Sequence, residues 1–271
     1  GMRPGLLLGL QYGLARRLFH HRVKAALGLD RCHFAASGAA PADVATLELL
    51  AGLDVPVYEV YGLSETSGPA TWNRPGRTRL GTVGPAYPGV EVRLDGDGEI
   101  LVRGGNVFAR YHRDPEATTA AFRDGWFATG DLGALDADGF LTIVGRKKEL
   151  IVTAGGKNVA PAPMETALKQ HPLVGEAVVL GDRRPYLTAL ISLDPEAGAA
   201  YATAHGLAGP LHEAPGVQAD VQRLVDEVNA GAARSAQIKR FPIHARPLTI
   251  ADGELTGTLK VKRSAVLAHF T

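Results

Sequence analysis

The run Tyr58-Glu59-Val60-Tyr61-Gly62-Leu63-Ser64-Glu65-Thr66 sets an aromatic, a glycine, hydroxyls and a carboxylate together just past a strand-like stretch at 55–58. Tyr61 can stack on a base, Gly62 lets backbone come close, and Glu65 can hold Mg2+ against phosphate oxygens. Further along, Asp124-Gly125-Trp126-Phe127-Ala128-Thr129-Gly130-Asp131 offers Asp131, after Thr-Gly, as an acceptor for a pair of ribose hydroxyls. Val144-Gly145-Arg146-Lys147-Lys148-Glu149 supplies Arg146, whose guanidinium suits ribose or phosphate, and Gly155-Gly156-Lys157-Asn158 follows it. Leu255-Thr256-Gly257-Thr258-Leu259-Lys260-Val261-Lys262-Arg263 ends the series as a basic stretch. Each segment alone is better described more plainly: a polar loop with a packed tyrosine, a surface turn over a buried Trp126, a solvated charge cluster, a solvated basic tail. Their occurrence together, in one order, favours chemistry.

Other chemistries lack their residues. The chain has no Gly-x-Gly-x-x-Gly, no Walker-type loop, no His-Glu-x-x-His and no cysteine pair of metal spacing. Ser37, in Ala36-Ser37-Gly38, lacks the Gly-x-Ser-x-Gly frame of a hydrolase elbow. The nine histidines show no ligand spacing.

The elements that must position these segments follow from periodicity. Leu6, Leu10, Leu14, Leu18, Val23 and Leu27 recur at near-helical spacing. An apolar strand is expected over 32–36, with Cys32 in the core, then a Ser37-Gly38-Ala39-Ala40-Pro41 loop and a helix over 43–51. The strand at 55–58 and a loop at 61–69 complete a β-loop-α-β-loop order, which predicts the edge of a parallel sheet. From about residue 80 the texture is antiparallel: strands are expected at 82–84, 90–94, 99–103 and 140–145, with Asp95-Gly96-Asp97-Gly98 as a hairpin turn. After a domain boundary near Lys148, a second α/β portion is expected. Its strands lie at 150–153, 176–181 and 187–193, its helices at 163–170 and 217–230, and a last helix ends the chain.

Composition narrows the class. The chain has 271 residues, 45% of them hydrophobic, with 29 basic and 28 acidic residues and a net charge of +1. That balance argues against a nucleic-acid partner. The apolar run at 6–10 is far too short to span a bilayer, and the basic residues from Arg16 to Lys24 argue against a signal peptide. The single Cys32 excludes an internal disulfide framework, and a reducing cytoplasm is the simplest compartment.

The four segments and their order resemble the adenylate-forming superfamily over about residues 33–263, and among its members the long-chain fatty acyl-CoA synthetases. The Asp-Gly-Trp…Thr-Gly-Asp…Gly-Arg-Lys-Lys frame from Asp124 to Lys148 and the Leu255–Arg263 ending carry the likeness. The resemblance implies a mixed α/β fold. Residues 1–147 would be the end of a large AMP-binding domain with a small β-barrel portion, and residues 148–271 a small mobile C-terminal domain. It implies ATP, Mg2+ and CoA as cofactors or co-substrates, a fatty acid as substrate, and formation of acyl-AMP followed by attack of the CoA thiol.

Residue by residue, the resemblance puts Gly38 and Ala39 in an adenine-side loop. Glu59 would face the adenine amino group, Tyr61 and Gly62 the ring, and Thr66 the α-phosphate. Glu65 becomes the Mg2+ ligand, Asp131 the ribose acceptor and Arg146 its helper. Lys260 would reach the acyl carboxylate and the phosphate, Lys148 would be the hinge, and Gly155 and Gly156 would line the pantetheine path.

Two departures stand out. Gly257 replaces a usual proline, and the family's Ser/Thr/Gly-rich phosphate loop is absent. The chain therefore reads as the C-terminal half of a synthetase, and Gly1 before Met2 as a residue left by tag removal. By itself it is expected to adenylate poorly. A non-catalytic adenylate-binding module and a ligase loading a carrier protein are the alternatives. Fatty acids partition into lipid, so peripheral membrane contact is compatible with this reading, although no segment signals it.

Overall fold

The computed structural model describes residues 6–40 and 42–270, apart from the side chains of Leu6, Leu7, Leu8, Leu10 and Ser235. Gly1, Met2, Arg3 and Pro41, on which sequence expectations rest, lie outside the described residues. The chain divides into two compact units, Gly1–Ile143 and Val144–Thr271.

In the first unit, helix α1 (Leu6–Ala15) continues through a π turn at Arg16–His20 into α2 (His21–Ala26). Tyr12, Arg16 and His20 all meet Asp54, which ties this helix to the chain beyond the next one. The expected apolar stripe faces outward in part: Leu14, Leu18, Val23 and Leu27 are exposed. Strand β1 (Ala35–Ser37) is shorter than expected, and Cys32 is exposed rather than a core residue. The Cys32 N–H closes a turn onto the Leu29 carbonyl at 3.1 Å, so the chain is still turning where a strand was expected.

Asp43 caps helix α3 (Val44–Gly52) by accepting from the Thr46 N–H at 2.8 Å. The helix then delivers strand β2 (Val57–Leu63), parallel to β1 with Ser37 opposite Glu59. The loop expected at 61–69 is instead a hairpin. β2 runs through Tyr61 and Gly62, a short 3-10 turn covers Ser64–Thr66, and β3 (Gly68–Trp72) returns antiparallel. The polar residues hid a strand because its partner comes so close. A Cβ on Gly62 would overlap the Gly68 carbonyl. Residues 82–84 form no strand; Gly84, at φ +80, crosses against the backbone of Trp72 and Asn73.

The antiparallel part holds as one five-stranded sheet. Strands β4 (Val90–Leu94) and β5 (Glu99–Gly104) form the expected hairpin, with Leu94 opposite Ile100. After helix α4 (Pro115–Ala121) come β6 (Phe122–Arg123), β7 (Trp126–Leu135) and β8 (Leu141–Arg146). The order is β4-β5-β7-β6, with β8 also on β7, and among the described residues no pairing closes β4 onto β8. Ile100, Val102, Phe127 and Leu141 form its core.

The second unit begins with the short antiparallel pair β9 (Ile151–Val152) and β10 (Asn158–Val159), joined by the Gly155-Gly156 turn. Helix α5 (Ala162–Leu168) leads to β11 (Val174–Leu180) and its antiparallel partner β12 (Leu187–Leu193). Two helices, α6 (Pro195–His205) and α7 (Pro215–Ala230), precede β13 (Ile238–Arg240) and β14 (Ile243–His244), both parallel to β12. The last helix is α8 (Arg263–Phe270). Alternation along the sheet divides its two faces. Val179, Leu187 and Ile191 pack with Val217 and Val221 of α7, whereas Val178 and Leu190 pack with Leu255 and with Val266 of α8.

Candidate functional site

Glu59 and Tyr61 stand two residues apart on β2 and so share one face of the strand. Glu59 is 6% exposed; its Oε1 accepts from the Ala42 N–H at 3.2 Å, whereas Oε2 is buried with no hydrogen-bond partner among the described residues. Burial pushes this carboxyl above the usual range, with the N–H groups of Ala42 and Gly81 pulling the other way. A buried acceptor oxygen with no donor fits an amino group brought by a ligand. The loop expected to flank it is placed by contact: a Cβ on Gly38 would lie 2.9 Å from Val60 Cγ1, and the next residue, Ala39, takes φ +70.

Tyr61 reaches across to the five-stranded sheet, donating from its hydroxyl to Asp131 Oδ2 at 2.7 Å. Asp131 is 5% exposed and lies in the middle of β7, not in a surface turn. Its aim is set by its neighbours. Gly130 takes φ +74 with its N–H held by Glu99 Oε1 at 3.0 Å, and Thr129 Oγ1 donates to the Ile100 carbonyl at 2.8 Å. Trp126, at the start of the same strand, is buried against the guanidinium groups of Arg93 and Arg103, each 4.4 Å from the ring centroid.

Glu65 sits in the 3-10 turn between β2 and β3, half-buried, with Oε1 accepting from the Tyr111 hydroxyl at 3.0 Å. A carboxylate oxygen is the hard donor that Mg2+ prefers. Thr66, beside it, is fully buried, and its hydroxyl is used by backbone. It donates to the carbonyls of Leu63 (3.0 Å) and Gly68 (2.6 Å) and accepts from the Leu63 N–H (2.9 Å). These bonds let the Thr66 side chain shape the turn. Three other carboxylates, Asp95, Asp97 and Glu99, cluster within 4.8 Å at the β4–β5 turn. Arg123 bridges two of the three, reaching Asp95 at 2.8 Å and Glu99 at 2.9 Å.

The second unit carries the other expected residues on exposed positions. Arg146 ends β8, and Lys148 lies in a 3-10 turn, Lys147–Glu149. Gly155 and Gly156 form a turn closed by the Gly156 N–H on the Thr153 carbonyl at 2.8 Å, with Gly156 at φ +73. Lys260 rides on a projecting loop. Thr256 and Lys260 clasp its neck: the Thr256 N–H donates to the Lys260 carbonyl at 2.8 Å, and the Lys260 N–H to Thr256 Oγ1 at 3.0 Å. The base of that loop is anchored by Glu254, which is fully buried. Arg246 donates two 2.8 Å bonds to its carboxylate, and the Thr249 N–H a third at 3.0 Å.

Residue spacing alone did not point to Tyr111, Asn106, Arg246 or Glu254. Tyr111 is 46 residues from the carboxylate it holds, so only folding pairs them. Glu254, an acid placed directly before the basic stretch, is the one visible signal.

Two family models match the chain: "AMP-binding enzyme" over residues 10–112 and "AMP-binding enzyme C-terminal domain" over 148–271. A long-chain-fatty-acid–CoA ligase, FadD15, of Mycobacterium bovis is 47% identical over 98% of this chain and 45% of its own length. The long-chain-fatty-acid–CoA ligase ACSBG2 of Gallus gallus is 36% identical over 96% of this chain and 38% of its own length. The chain thus spans less than half the length of the curated relatives it matches. Among solved structures, the O-succinylbenzoate coenzyme A synthetase of Bacillus subtilis, in complex with ATP and magnesium ion, aligns with a TM-score of 0.65. It is 27% identical, over 84% of this chain and 45% of that one. Among the described residues no helix is long and apolar enough to cross a membrane. Matching models along both units, the mixed α/β fold and close relatives agree, and the chain belongs to the AMP-binding enzyme family.

Proposed function

We propose that this chain supplies the adenosine-binding face, the metal ligand and the mobile C-terminal domain of a long-chain fatty acid–CoA ligase. The whole protein would activate a fatty acid with ATP to acyl-AMP and pass the acyl group to CoA. The observation that carries the reading is the buried, unpartnered Glu59 Oε2 beside the Tyr61–Asp131 pair. Adenine needs an acceptor for its amino group, an aromatic face, and a carboxylate for the ribose hydroxyls. Glu59, Tyr61 and Asp131 supply these from adjacent positions, with Gly38, Ala39 and Gly62 completing the adenine side.

Attack of a carboxylate on an α-phosphate brings two anions together. Mg2+ bound at Glu65 would offset that repulsion. Lys260, a flexible ammonium on an exposed loop, would offset the charge that develops on the attacked phosphate, and it needs no deprotonation to do so. Arg146 would assist Asp131 at the ribose. Rotation of the second unit about Lys148 would exchange the Lys260 face for Gly155-Gly156, whose bare backbone gives the pantetheine arm of CoA passage. A reducing compartment, the cytoplasm, is the setting this reading assigns.

The test uses the whole protein that carries this chain. ATP–pyrophosphate exchange with palmitate measures adenylation, and thioester formation from supplied palmitoyl-AMP measures the second half-reaction. Lys260→Ala is expected to lower the first at least about a hundredfold and the second far less. Equal loss of both rejects the role of Lys260, and AMP binding without exchange in the wild type favours the non-catalytic binding module.

A further inference from the structure

Glu65 is held from outside its own turn by residues that follow β5. The Phe108 N–H donates to the Glu65 carbonyl at 2.7 Å, and Asn106 Nδ2 donates to the carbonyls of Thr66 at 2.9 Å and Pro69 at 3.3 Å. These bonds locate the backbone of the turn. Tyr111 alone among these residues acts on the carboxylate itself, through the 3.0 Å bond from its hydroxyl to Oε1. Its own place is well determined. The Tyr111 N–H donates to Thr118 Oγ1 at 3.0 Å, and its ring meets Phe108 edge to face, centroids 4.7 Å apart. Phe108 in turn packs on Phe122 and Phe127 of the first unit's core.

We propose that Tyr111 is the positioning residue for the metal-binding carboxylate: by holding Oε1 it fixes the rotamer of Glu65 and leaves Oε2 to meet a divalent cation brought with the nucleotide. This rests on the assignment of Glu65 as metal ligand. A free glutamate has three rotatable bonds. A carboxylate already oriented by a second hydrogen bond binds metal without that ordering loss, which is why outer partners of metal ligands matter.

Two measurements test this. In the whole protein carrying this chain, the Mg2+ dependence of ATP–pyrophosphate exchange is compared for wild type, Tyr111→Phe and Glu65→Gln. Tyr111→Phe keeps the ring contact with Phe108. It is expected to raise the Mg2+ concentration for half-maximal rate about tenfold, with the wild-type rate restored at excess metal and the KM for palmitate unchanged. A purely structural contact would lower the rate at every Mg2+ concentration. The second readout needs no turnover: Mn2+ binding in the presence of ATP, followed by electron paramagnetic resonance, is expected to weaken about tenfold in Tyr111→Phe. A metal dependence that shifts in Glu65→Gln but not in Tyr111→Phe overturns the inference, as does an Mn2+ affinity that falls in Glu65→Gln but not in Tyr111→Phe. No metal-dependent exchange in the wild type, or an unchanged metal dependence in Glu65→Gln, removes the metal assignment and the inference with it.

Discussion

The hydroxyl of Tyr61 and the carboxylate of Asp131, 70 residues apart, meet at 2.7 Å and join the β1–β3 sheet to the five-stranded sheet. The bond leaves the ring of Tyr61 as a wall beside the acceptor it helps to hold. Tyr61→Phe is expected to lower stability by about 1 kcal/mol, the net value of one side-chain hydrogen bond, while keeping the ring. Urea denaturation reads the loss. AMP affinity should fall less than in Asp131→Asn, which removes the proposed ribose acceptor.

Glu59 gives a pH dependence whose sign is set by burial. Its folded carboxyl titrates above the ordinary 4.5, so the native state holds a proton that the unfolded chain has released. Stability from this group is therefore full below about pH 4.5 and falls as pH rises through the raised value. Glu59→Gln removes the dependence, so its melting temperature should gain on wild type as pH rises from 4 to 7. Parallel melting curves across that range would contradict the placement of Glu59.

Thr66 separates shaping a turn from touching a ligand. Thr66→Val keeps the buried shape but removes the one donor shared by the Leu63 and Gly68 carbonyls and the acceptor of the Leu63 N–H. It is expected to cost about 2–3 kcal/mol, whereas Thr66→Ser, which keeps the hydroxyl, should cost about 1 kcal/mol. Equal stability of both variants in thermal unfolding would show that the hydroxyl does not hold the turn.

Glu254 holds the base of the Lys260 loop from full burial. The Arg246 hydrogen bonds, aided by the Thr249 N–H and His269, draw its carboxyl from 4.5 to about 2. A depressed carboxyl contributes stability that is whole above pH 4.5 and lost as pH falls toward about 2. Glu254→Gln is expected to cost about 3 kcal/mol at neutral pH and to flatten the acid limb of the stability curve. Hydrogen exchange should quicken at Lys262, whose N–H bonds the Glu254 carbonyl at 2.7 Å.

Gly257 has no steric need to be glycine. Nothing lies within 4 Å of a Cβ built there, and its φ is not in the left-handed region. Gly257→Ala is expected to gain about 0.5 kcal/mol in urea denaturation by narrowing the unfolded ensemble. A loss would mean that the loop needs the freedom of glycine.

What the sequence determined by itself is what local rules control. The Asp95–Gly98 hairpin, the capped helix after Asp43, the β11–β12 pair and α7 with its buried Val217 and Val221 follow from turn residues, caps and periodicity, which act over a few residues. The motif words around Glu59, Asp131 and Lys260 were legible for the same reason, because each is a short contiguous run. Tertiary structure alone decided the rest. It turned the polar 61–69 segment into a hairpin, because only the close return of Gly68 against Gly62 makes a strand of it. It brought Cys32 to the surface, spent the Thr66 hydroxyl on backbone, and paired Tyr61 with Asp131 and Tyr111 with Glu65. A hydrogen bond between side chains 46 or 70 residues apart leaves no mark on local spacing. It exists only once two sheets have packed, and that packing depends on the sum of many buried contacts.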